Sequence, residues 1–360
     1  MTPTDDYNDT FSSSFIASES DYVYLYRGNH GNIAEIFISF VVWSICCFTI
    51  LGNALIIATF VLDGKVRRKV SNLYILNLAI CDFLIGLNSL LFNNLYRHVG
   101  IWIYGEAVCK TWLVLDWTAS IVSVWAIVLI SYDRYVLVTR GLAYDRIQTR
   151  RKFCCLAGSV WVIFGLRIGI VIIGYDFWYE TWVDYTTTCD TAADYVFPLV
   201  IFNSITSFCI PVLLTIVFNT VVFVNIRQRT RGLPRNWASS QIYPEETTDE
   251  SSSVNPTASS NNPVLGTGEQ RRHREGTSDV RKLRRSAVTL ALIVGISALC
   301  WLPYYVYIIA KILHVTVDTT VAIATYYIWW SNSLWNPVLY VATNPGIRRA
   351  VLKILHFHHQ

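Results

Sequence analysis

Seven apolar stretches, each about as long as a membrane helix, constrain this chain more than any other feature. A helix that crosses a ~30 Å hydrocarbon layer needs about 20 mostly apolar residues. Only 15% of the residues are charged and 53% are hydrophobic, whereas average soluble domains carry roughly 25% charged residues. The stretches, here numbered spans 1 to 7, lie near 36–62, 73–95, 109–138, 153–174, 195–226, 286–312 and 318–341. They predict an all-α membrane protein, a seven-transmembrane helix bundle.

The basic residues predict the orientation of this bundle. Most of the 29 Lys and Arg residues fall between spans 1 and 2, 3 and 4, or 5 and 6, or after span 7. The opposite side holds only Arg27, Arg97, Lys110 and Lys311. Because cytoplasmic loops are enriched in Lys and Arg, the amino-terminal arm is expected outside the cell. Asn8 begins an N-glycosylation sequon on that arm.

The polar segments complete the predicted organisation. The loop 227–285 is rich in Ser, Thr, Asn, Pro and Glu, a composition that cannot bury a core and predicts disorder. The tail alternates basic and aliphatic residues at helical spacing, which predicts a short amphipathic helix on the membrane lipid. The net charge of +4 gives no reason to expect nucleic acid binding. The expected segments are an extracellular arm 1–35, spans 1–5 in 36–226, the third cytoplasmic loop 227–285, spans 6–7 in 286–341 and the tail 342–360.

Two of the nine cysteines are expected on the outer side. Cys109 opens span 3, and Cys189 lies in the loop before span 5. Disulfides persist outside the cell, so the sequence predicts a Cys109–Cys189 bond that pins this loop over the mouth of the bundle. The other seven cysteines read as small apolar packing residues.

Asp116 is the most informative charged residue within the spans. It lies about 10 Å below the outer end of span 3, where a carboxylate is costly and marks a functional candidate. Ser120 and Ser123 follow on the same helix face. A carboxylate in an outward-facing cavity predicts capture of a cationic amine. The alternative is a structural Asp with a protein partner, and Arg167 is the only basic side chain within the spans at that depth.

Aromatic residues surround the expected position of this carboxylate. Cation–π contacts of an ammonium with such rings contribute about 0.5–2 kcal/mol each. Packing alone would also explain the cluster. The rings in the outer halves of spans 3, 6 and 7 are Trp117, Trp301, Tyr304, Tyr305, Tyr326, Trp329 and Trp330.

Asp82 lies near the middle of span 2, with polar residues at similar depth in other spans. Oxygen ligands around one carboxylate suit a hard cation such as sodium or a chain of waters. A hydrogen-bonded polar core without an ion is the alternative. The residues are Asn53, Ser123, Asn332, Ser333 and Asn336.

Each of the seven spans contains a short motif or a single marked residue. Prolines in the motifs are expected to break helices 6 and 7, because proline removes a backbone hydrogen bond. The motifs are Asn53, Leu78-Ala79-x-x-Asp82, Asp133-Arg134-Tyr135, Trp161, Pro211, Cys300-Trp301-x-Pro303 and Asn336-Pro337-x-x-Tyr340. Together they resemble one family, the rhodopsin-like G-protein-coupled receptors.

Within this family the chain resembles the aminergic branch. Asp116, eighteen residues before Arg134, matches the amine-binding Asp of that branch. The runs 72–79 and 131–135, together with Asn219 and Trp330, resemble the histamine receptors that couple to inhibitory G proteins.

This resemblance implies a plasma-membrane receptor that binds an amine outside and activates a heterotrimeric G protein inside, with no enzymatic activity and no cofactor beyond a sodium ion. The implied sodium site is Asp82, Ser123, Asn332, Ser333 and Asn336. The implied amine pocket is Asp116, Trp117, Ser120, Asn203, Ser207, Trp301, Tyr304, Tyr305, Tyr326 and Trp330. The implied activation residues are Asp133, Arg134, Tyr135, Pro303, Asn336, Pro337 and Tyr340.

Two departures from the resemblance affect these expectations. Ser207 stands where those histamine receptors have a Glu for the imidazole, so another amine is an alternative ligand. Leu283 stands where some receptors place an acid that pairs with Arg134, which predicts raised ligand-independent activity. Arg167 has no counterpart in the resemblance. It is expected to snorkel outward or to pair with an outer-loop carboxylate such as Asp176 or Glu180, and a role in ligand binding is the alternative. An ion-conducting or transport protein is the alternative from another class, because membrane carboxylates also line ion paths.

Overall fold

The structure, a computed structural model, describes residues 33–178, 184–190, 196–231, 288–289, 291–311, 313 and 315–357. The predictions for the arm up to residue 32, including Asn8, fall outside these residues. So do those for Leu283 and most of the loop 227–285. The described chain contains helices, turns and short connections, and no strand within those ranges.

Seven helices of membrane-spanning length form a bundle, close to the predicted positions. Six of them are also apolar enough to cross a membrane by composition. The seventh has 25 residues and carries polar residues on its inner face. The segments are Ile33–Leu62 for span 1; Val70–Leu84, Ile85–Leu90 and Leu91–Val99 for span 2; Gly105–Arg140 for span 3; Arg150–Gly169 and Ile170–Gly174 for span 4; Phe197–Ser204, Ile205–Cys209 and Ile210–Arg231 for span 5; Ala291–Lys311 for span 6; and Thr319–Thr343 for span 7.

Spans 2, 4 and 5 each contain one π-helical turn, at Ile85–Leu90, Ile170–Gly174 and Ile205–Cys209. Such a turn adds residues relative to the regular α-helix and rotates the side chains that follow it. π turns occur often at functional sites. Two of these three turns carry polar residues of the candidate site described below.

The prediction that proline breaks helices 6 and 7 is wrong, because span 6 continues through Pro303 and span 7 through Pro337. Span 1 has a glycine opposite Pro337: a Cβ built on Gly52 would lie 3.2 Å from Cγ of Pro337. Gly86 in span 2 is tighter still, since a Cβ there would lie 2.8 Å from Cγ1 of Ile50. These two glycines allow span 1 to approach spans 7 and 2 closely.

Span 3 lies at the centre of the bundle and packs against spans 2, 4 and 5. Span 1 packs against spans 2 and 7. After Asn344 the chain turns into the helix Pro345–Phe357, which contacts spans 7 and 1. Ile347, Ala350 and Val351 are buried in that contact, while Leu352 and Leu355 are exposed. The predicted amphipathic tail helix is therefore present, with one face packed on the bundle.

The predicted disulfide between Cys109 and Cys189 is present, with a Cα–Cα distance of 5.6 Å. It joins the start of span 3 to the segment 184–190, and this end of the bundle is called the disulfide end below. Trp102 strengthens the connection: its backbone N–H donates to the Thr187 carbonyl at 2.7 Å. The Trp102 ring is fully buried and stacks on Trp112 at 5.3 Å.

Asp184 organises the turn before Cys189. Its carboxylate accepts a hydrogen bond from the Thr186 hydroxyl at 2.7 Å, from the Thr186 backbone N–H at 3.1 Å and from the Thr187 hydroxyl at 2.9 Å. These bonds favour the ionised form and lower the pKa of Asp184 below its usual value. The turn is thus held by local bonds as well as by the disulfide.

Candidate functional site

Asp116 is buried within the bundle towards the disulfide end of span 3. Its carboxylate accepts a hydrogen bond from the Ser89 hydroxyl of span 2. No ion pair within 4.0 Å among the described residues involves Asp116. The alternative of a structural Asp neutralised by a basic neighbour, for which Arg167 was the candidate, therefore has no support in the described contacts.

The π turn of span 2 positions Ser89. Two reciprocal hydrogen bonds of 3.0 Å fix this turn against span 3: the Asn88 amide donates to the Trp112 carbonyl, and the Trp112 indole donates to the Asn88 carbonyl. Ser89 was not among the predicted site residues. The adjacent polar pair Asn88-Ser89 within a predicted membrane span was the signal that could have identified it.

Five aromatic rings from spans 3, 6 and 7 form a continuous cluster, and one of them, Trp117, follows Asp116 in the sequence. Trp329 stacks on Tyr304 with a centroid distance of 4.5 Å, and Trp117 lies 6.2 Å from Trp329. Tyr326 lies 5.1 Å from Tyr304 and 5.8 Å from Trp330. The structure thus brings together the predicted rings of three helices, in a form that suits an organic cation.

The remaining predicted pocket residues of spans 3 and 6 are also inside the bundle. Ser120 is buried, and its hydroxyl has no hydrogen-bond partner in the described structure. Trp301 is buried in the main hydrophobic core. Tyr305 stacks on Phe208 of span 5 at 3.7 Å, which joins the aromatic cluster to span 5.

Span 5 differs from the sequence-based expectation because Arg167 of span 4 binds it. The Arg167 guanidinium donates to the Asn203 amide oxygen at 2.8 Å and to the Ser207 hydroxyl at 3.2 Å. It also donates to the Thr206 hydroxyl. The expectation that Arg167 snorkels outward or pairs with an outer-loop carboxylate is therefore wrong for the described contacts, in which three neutral oxygens hold it. Glu180 and the Asp176 side chain lie outside the described residues.

Asp82 lies at the centre of a second polar group, deeper in the bundle. It accepts hydrogen bonds from Ser333 at 2.8 Å, Asn336 at 2.8 Å and Ser123 at 3.2 Å. Three spans thus contribute to one fully buried carboxylate. The hydroxyl and carboxylate oxygens are donors of the hard type that sodium prefers, so these residues fit the predicted ion.

The other two polar residues predicted near Asp82 bind elsewhere. The Asn332 amide oxygen accepts from the Ser297 hydroxyl of span 6 at 2.8 Å. The Asn53 amide donates to the Thr49 and Ser333 carbonyls at 2.9 and 3.0 Å. Asn332 therefore links span 7 to span 6, and Asn53 links span 1 to span 7.

At the opposite end of span 3, Asp133 lies 3.7 Å from the Arg134 guanidinium. The sequence did not predict its stronger partners. The Tyr144 phenol donates to Asp133 at 2.7 Å, and the Gln148 amide donates to the same oxygen at 3.4 Å. Both partners lie in the connection between spans 3 and 4, so one carboxylate holds this connection against the bundle.

The remaining predicted activation residues lie in spans 3, 6 and 7. Tyr135 lies beside Phe218 of span 5 at 5.4 Å. Tyr340 is fully buried, and its hydroxyl has no hydrogen-bond partner in the described structure. Pro303 lies in span 6, and Pro337 lies within span 7 beside Gly52.

A seven-helix bundle with a buried carboxylate near the disulfide end and an Asp-Arg pair at the other defines a membrane receptor by its architecture. Residues 52–340 match the family described as 7 transmembrane receptor (rhodopsin family). The chain therefore belongs to the rhodopsin family of seven-transmembrane receptors. It is a multi-pass membrane protein and not an enzyme.

Curated relatives resemble the chain over most of its length. It is 27% identical to the histamine H4 receptor of Homo sapiens, covering 86% of this chain and 90% of that receptor. It is 26% identical to the 5-hydroxytryptamine receptor 1B of Canis lupus familiaris, with coverages of 86% and 83%. It is also 26% identical to the alpha-1A adrenergic receptor of Oryzias latipes, with coverages of 86% and 65%.

Proposed function

We propose that this chain is a receptor for a small cationic biogenic amine, histamine or a related amine, and signals through a heterotrimeric G protein of the inhibitory type. The observation that carries the proposal is the buried Asp116 carboxylate, which has a hydrogen-bond donor in Ser89 but no cationic partner among the described residues. An ammonium group 4 Å away would gain about 4 kcal/mol before desolvation, at an effective dielectric of 20.

The aromatic cluster supports the same ligand class. Aromatic rings attract an ammonium without neutralising Asp116, and Tyr304, Tyr326 and Trp329 form one cluster of such rings. Two of the similar receptors have an amine, histamine or 5-hydroxytryptamine, in their names. Membership of the receptor family favours this function over the ion-conducting or transport alternative.

The proposed orientation places the disulfide end outside the cell at the plasma membrane. The basic residues between spans 3 and 4 then face the cytoplasm, as the positive-inside rule requires. In this orientation Arg134, which is partly exposed, lies on the side of the G protein. Asp133 holds Arg134 in the resting state, and the Asp82 group holds a sodium ion.

A panel of biogenic amines, histamine first, in a nucleotide-exchange assay with an inhibitory G protein tests the proposal. Asp116→Asn should weaken the active amine by about 2–5 kcal/mol, because the ammonium loses a buried charge partner. Glu106→Gln is the matched control on the same helix, since Glu106 is exposed. Unchanged potency in Asp116→Asn at normal surface expression, or silence with every amine, would refute the proposed ligand class.

A further inference from the structure

Arg167 is a charged side chain inside the bundle that the proposed amine contact with Asp116 does not use. Its guanidinium lies between two aromatic rings, 5.0 Å from the Phe164 centroid and 5.7 Å from the Phe202 centroid. Its hydrogen-bond partners in span 5 are all neutral, and no ion pair among the described residues includes it. Arginine within a membrane span is rare and marks a functional candidate.

Arg167 and Asp116 lie at the same level of the bundle. A Cβ built on Gly165 of span 4 would lie 3.7 Å from the Thr118 side chain of span 3, so these two positions face each other. Spans 3 and 4 run in opposite directions. Arg167 comes two residues after Gly165, and Asp116 comes two residues before Thr118. Both therefore lie about 3 Å nearer to the disulfide end than this contact.

The two opposite charges nevertheless do not neutralise each other. Positions two apart on a helix point about 200° away from each other. Thr118 faces span 4, so Asp116 faces away from span 4, towards Ser89 of span 2. Arg167 is held instead against span 5. At this shared level Asp116 contacts span 2, whereas Arg167 contacts Asn203 and Ser207, the span 5 residues of the predicted amine pocket.

Arg167 also changes what span 5 offers to a ligand. The Asn203 amide oxygen accepts from both Arg167 and the Ser207 hydroxyl, so the acceptors at this end are already engaged. The Arg167 Nε–H remains buried without a partner. The span 5 end of the predicted pocket therefore carries positive charge and unused N–H donors, which favour an acceptor and disfavour a second cation.

We propose that the natural ligand is a zwitterion, with an ammonium group bound by Asp116 and an anionic group, of the carboxylate type, bound by Arg167 at the far end. This inference rests on the proposed amine-receptor function and narrows its ligand class to related amines that also carry an acidic group, which histamine itself does not. A carboxylate completes the guanidinium with charge-assisted hydrogen bonds. The Asn203, Thr206 and Ser207 side chains hold Arg167 in place for this contact.

Two probes of equal length test the proposal: 2-(4-carboxyphenyl)ethylamine and 2-(4-methylphenyl)ethylamine. Both carry the ammonium and the ring, and only the first carries the anion. On the unmodified receptor the carboxyl probe should be at least about tenfold more potent in nucleotide exchange, because a buried charge pair forms only with that probe. Arg167→Gln should remove this preference, and Arg167→Lys should retain part of it.

The ratio of the two potencies is measured within each variant, so it is independent of expression level. Equal potency on the unmodified receptor, or no response to the carboxyl probe at millimolar concentration, overturns the inference. An equal loss for both probes in Arg167→Gln also overturns it, and leaves Arg167 as a bridge between spans 4 and 5. Asp116→Asn tests the amine-receptor function separately from the zwitterion inference. A response to the methyl probe that survives this substitution contradicts the amine-receptor function itself.

Discussion

The Tyr144 phenol donates a 2.7 Å hydrogen bond to the Asp133 carboxylate, the same carboxylate that lies beside Arg134. This bond fixes the connection between spans 3 and 4 to the end of span 3. Asp133 thus has two roles in the structure, one towards Arg134 and one towards this connection.

Tyr144→Phe should lower the thermal stability of the purified receptor. The substitution removes one hydrogen bond to a buried carboxylate, which contributes about 1.5–3 kcal/mol. Tyr104→Phe is the control, because Tyr104 is exposed, and its effect should stay within about 0.5 kcal/mol. Thermal unfolding of both variants measures the difference, and equal melting temperatures would show that the Tyr144 bond contributes nothing.

Ser89→Ala should weaken the most potent amine about tenfold, without changing surface expression. The Ser89 hydroxyl orients the Asp116 carboxylate, and loss of one hydrogen bond to a charged group is of this order. Concentration–response curves for nucleotide exchange give the shift. Ser44→Ala in span 1, whose hydroxyl donates to the Phe40 carbonyl of the same helix, serves as the control. A potency equal to or above that of the unmodified receptor would contradict the positioning role.

Cys189→Ala should reduce surface expression or amine binding. The disulfide closes a loop of 80 residues, and loss of such a bond typically costs 2–5 kcal/mol. Cys209→Ala removes an exposed free cysteine and should leave both properties unchanged. Cell-surface labelling and ligand binding on the same cells measure the two effects. Normal values for Cys189→Ala would show that local bonds such as those of Asp184 hold the segment alone.

Sodium chloride should stabilise the receptor more than choline chloride at equal ionic strength. The Asp82 group supplies the oxygen donors, and an ion that binds only the folded state adds about 1–2 kcal/mol at tenfold excess over its dissociation constant. Asp82→Asn should remove the difference, while Asp145→Asn at the surface should keep it. Thermal unfolding in the two salts measures the difference in stability, and identical curves for the unmodified receptor would refute the ion site.

Gly86→Ala should destabilise the bundle by about 1–3 kcal/mol, the usual cost of overpacking. The added Cβ would lie 2.8 Å from Cγ1 of Ile50 and 3.3 Å from the Ile50 backbone N, so the backbone contact leaves little room to adjust. Gly158→Ala is the matched control within a helix, since a Cβ there meets nothing within 4 Å. A melting temperature of Gly86→Ala at or above that of Gly158→Ala would contradict the close approach.

The fold could be predicted from the sequence because lipid imposes strict lengths on apolar helices. The positions of spans 1 to 7, the tail helix and the Cys109–Cys189 bond all follow from this constraint and from sidedness. The π turns could not be predicted, because an apolar run does not reveal a local change of period. Ser89 escaped prediction for this reason, since its approach to Asp116 depends on the turn Ile85–Leu90.

The candidate site was only partly predictable. Asp116 and Asp82 are conspicuous because isolated carboxylates in apolar helices are rare. The partners of Arg167 could not be predicted, because a long side chain reaches neighbouring helices whose rotation the sequence does not give. The partners of Asp133 were missed because Tyr144 and Gln148 lie in a polar connection, where such residues are ordinary.

The contacts of span 1 have a mechanical consequence. Gly86 lies against Ile50, Asn53 donates to the Ser333 carbonyl, and Asp82 joins spans 2 and 7 through Ser333 and Asn336. Helices 1, 2 and 7 are thereby mechanically coupled around Asp82. A displacement of any one of these three helices would either break these hydrogen bonds or carry the other two helices with it.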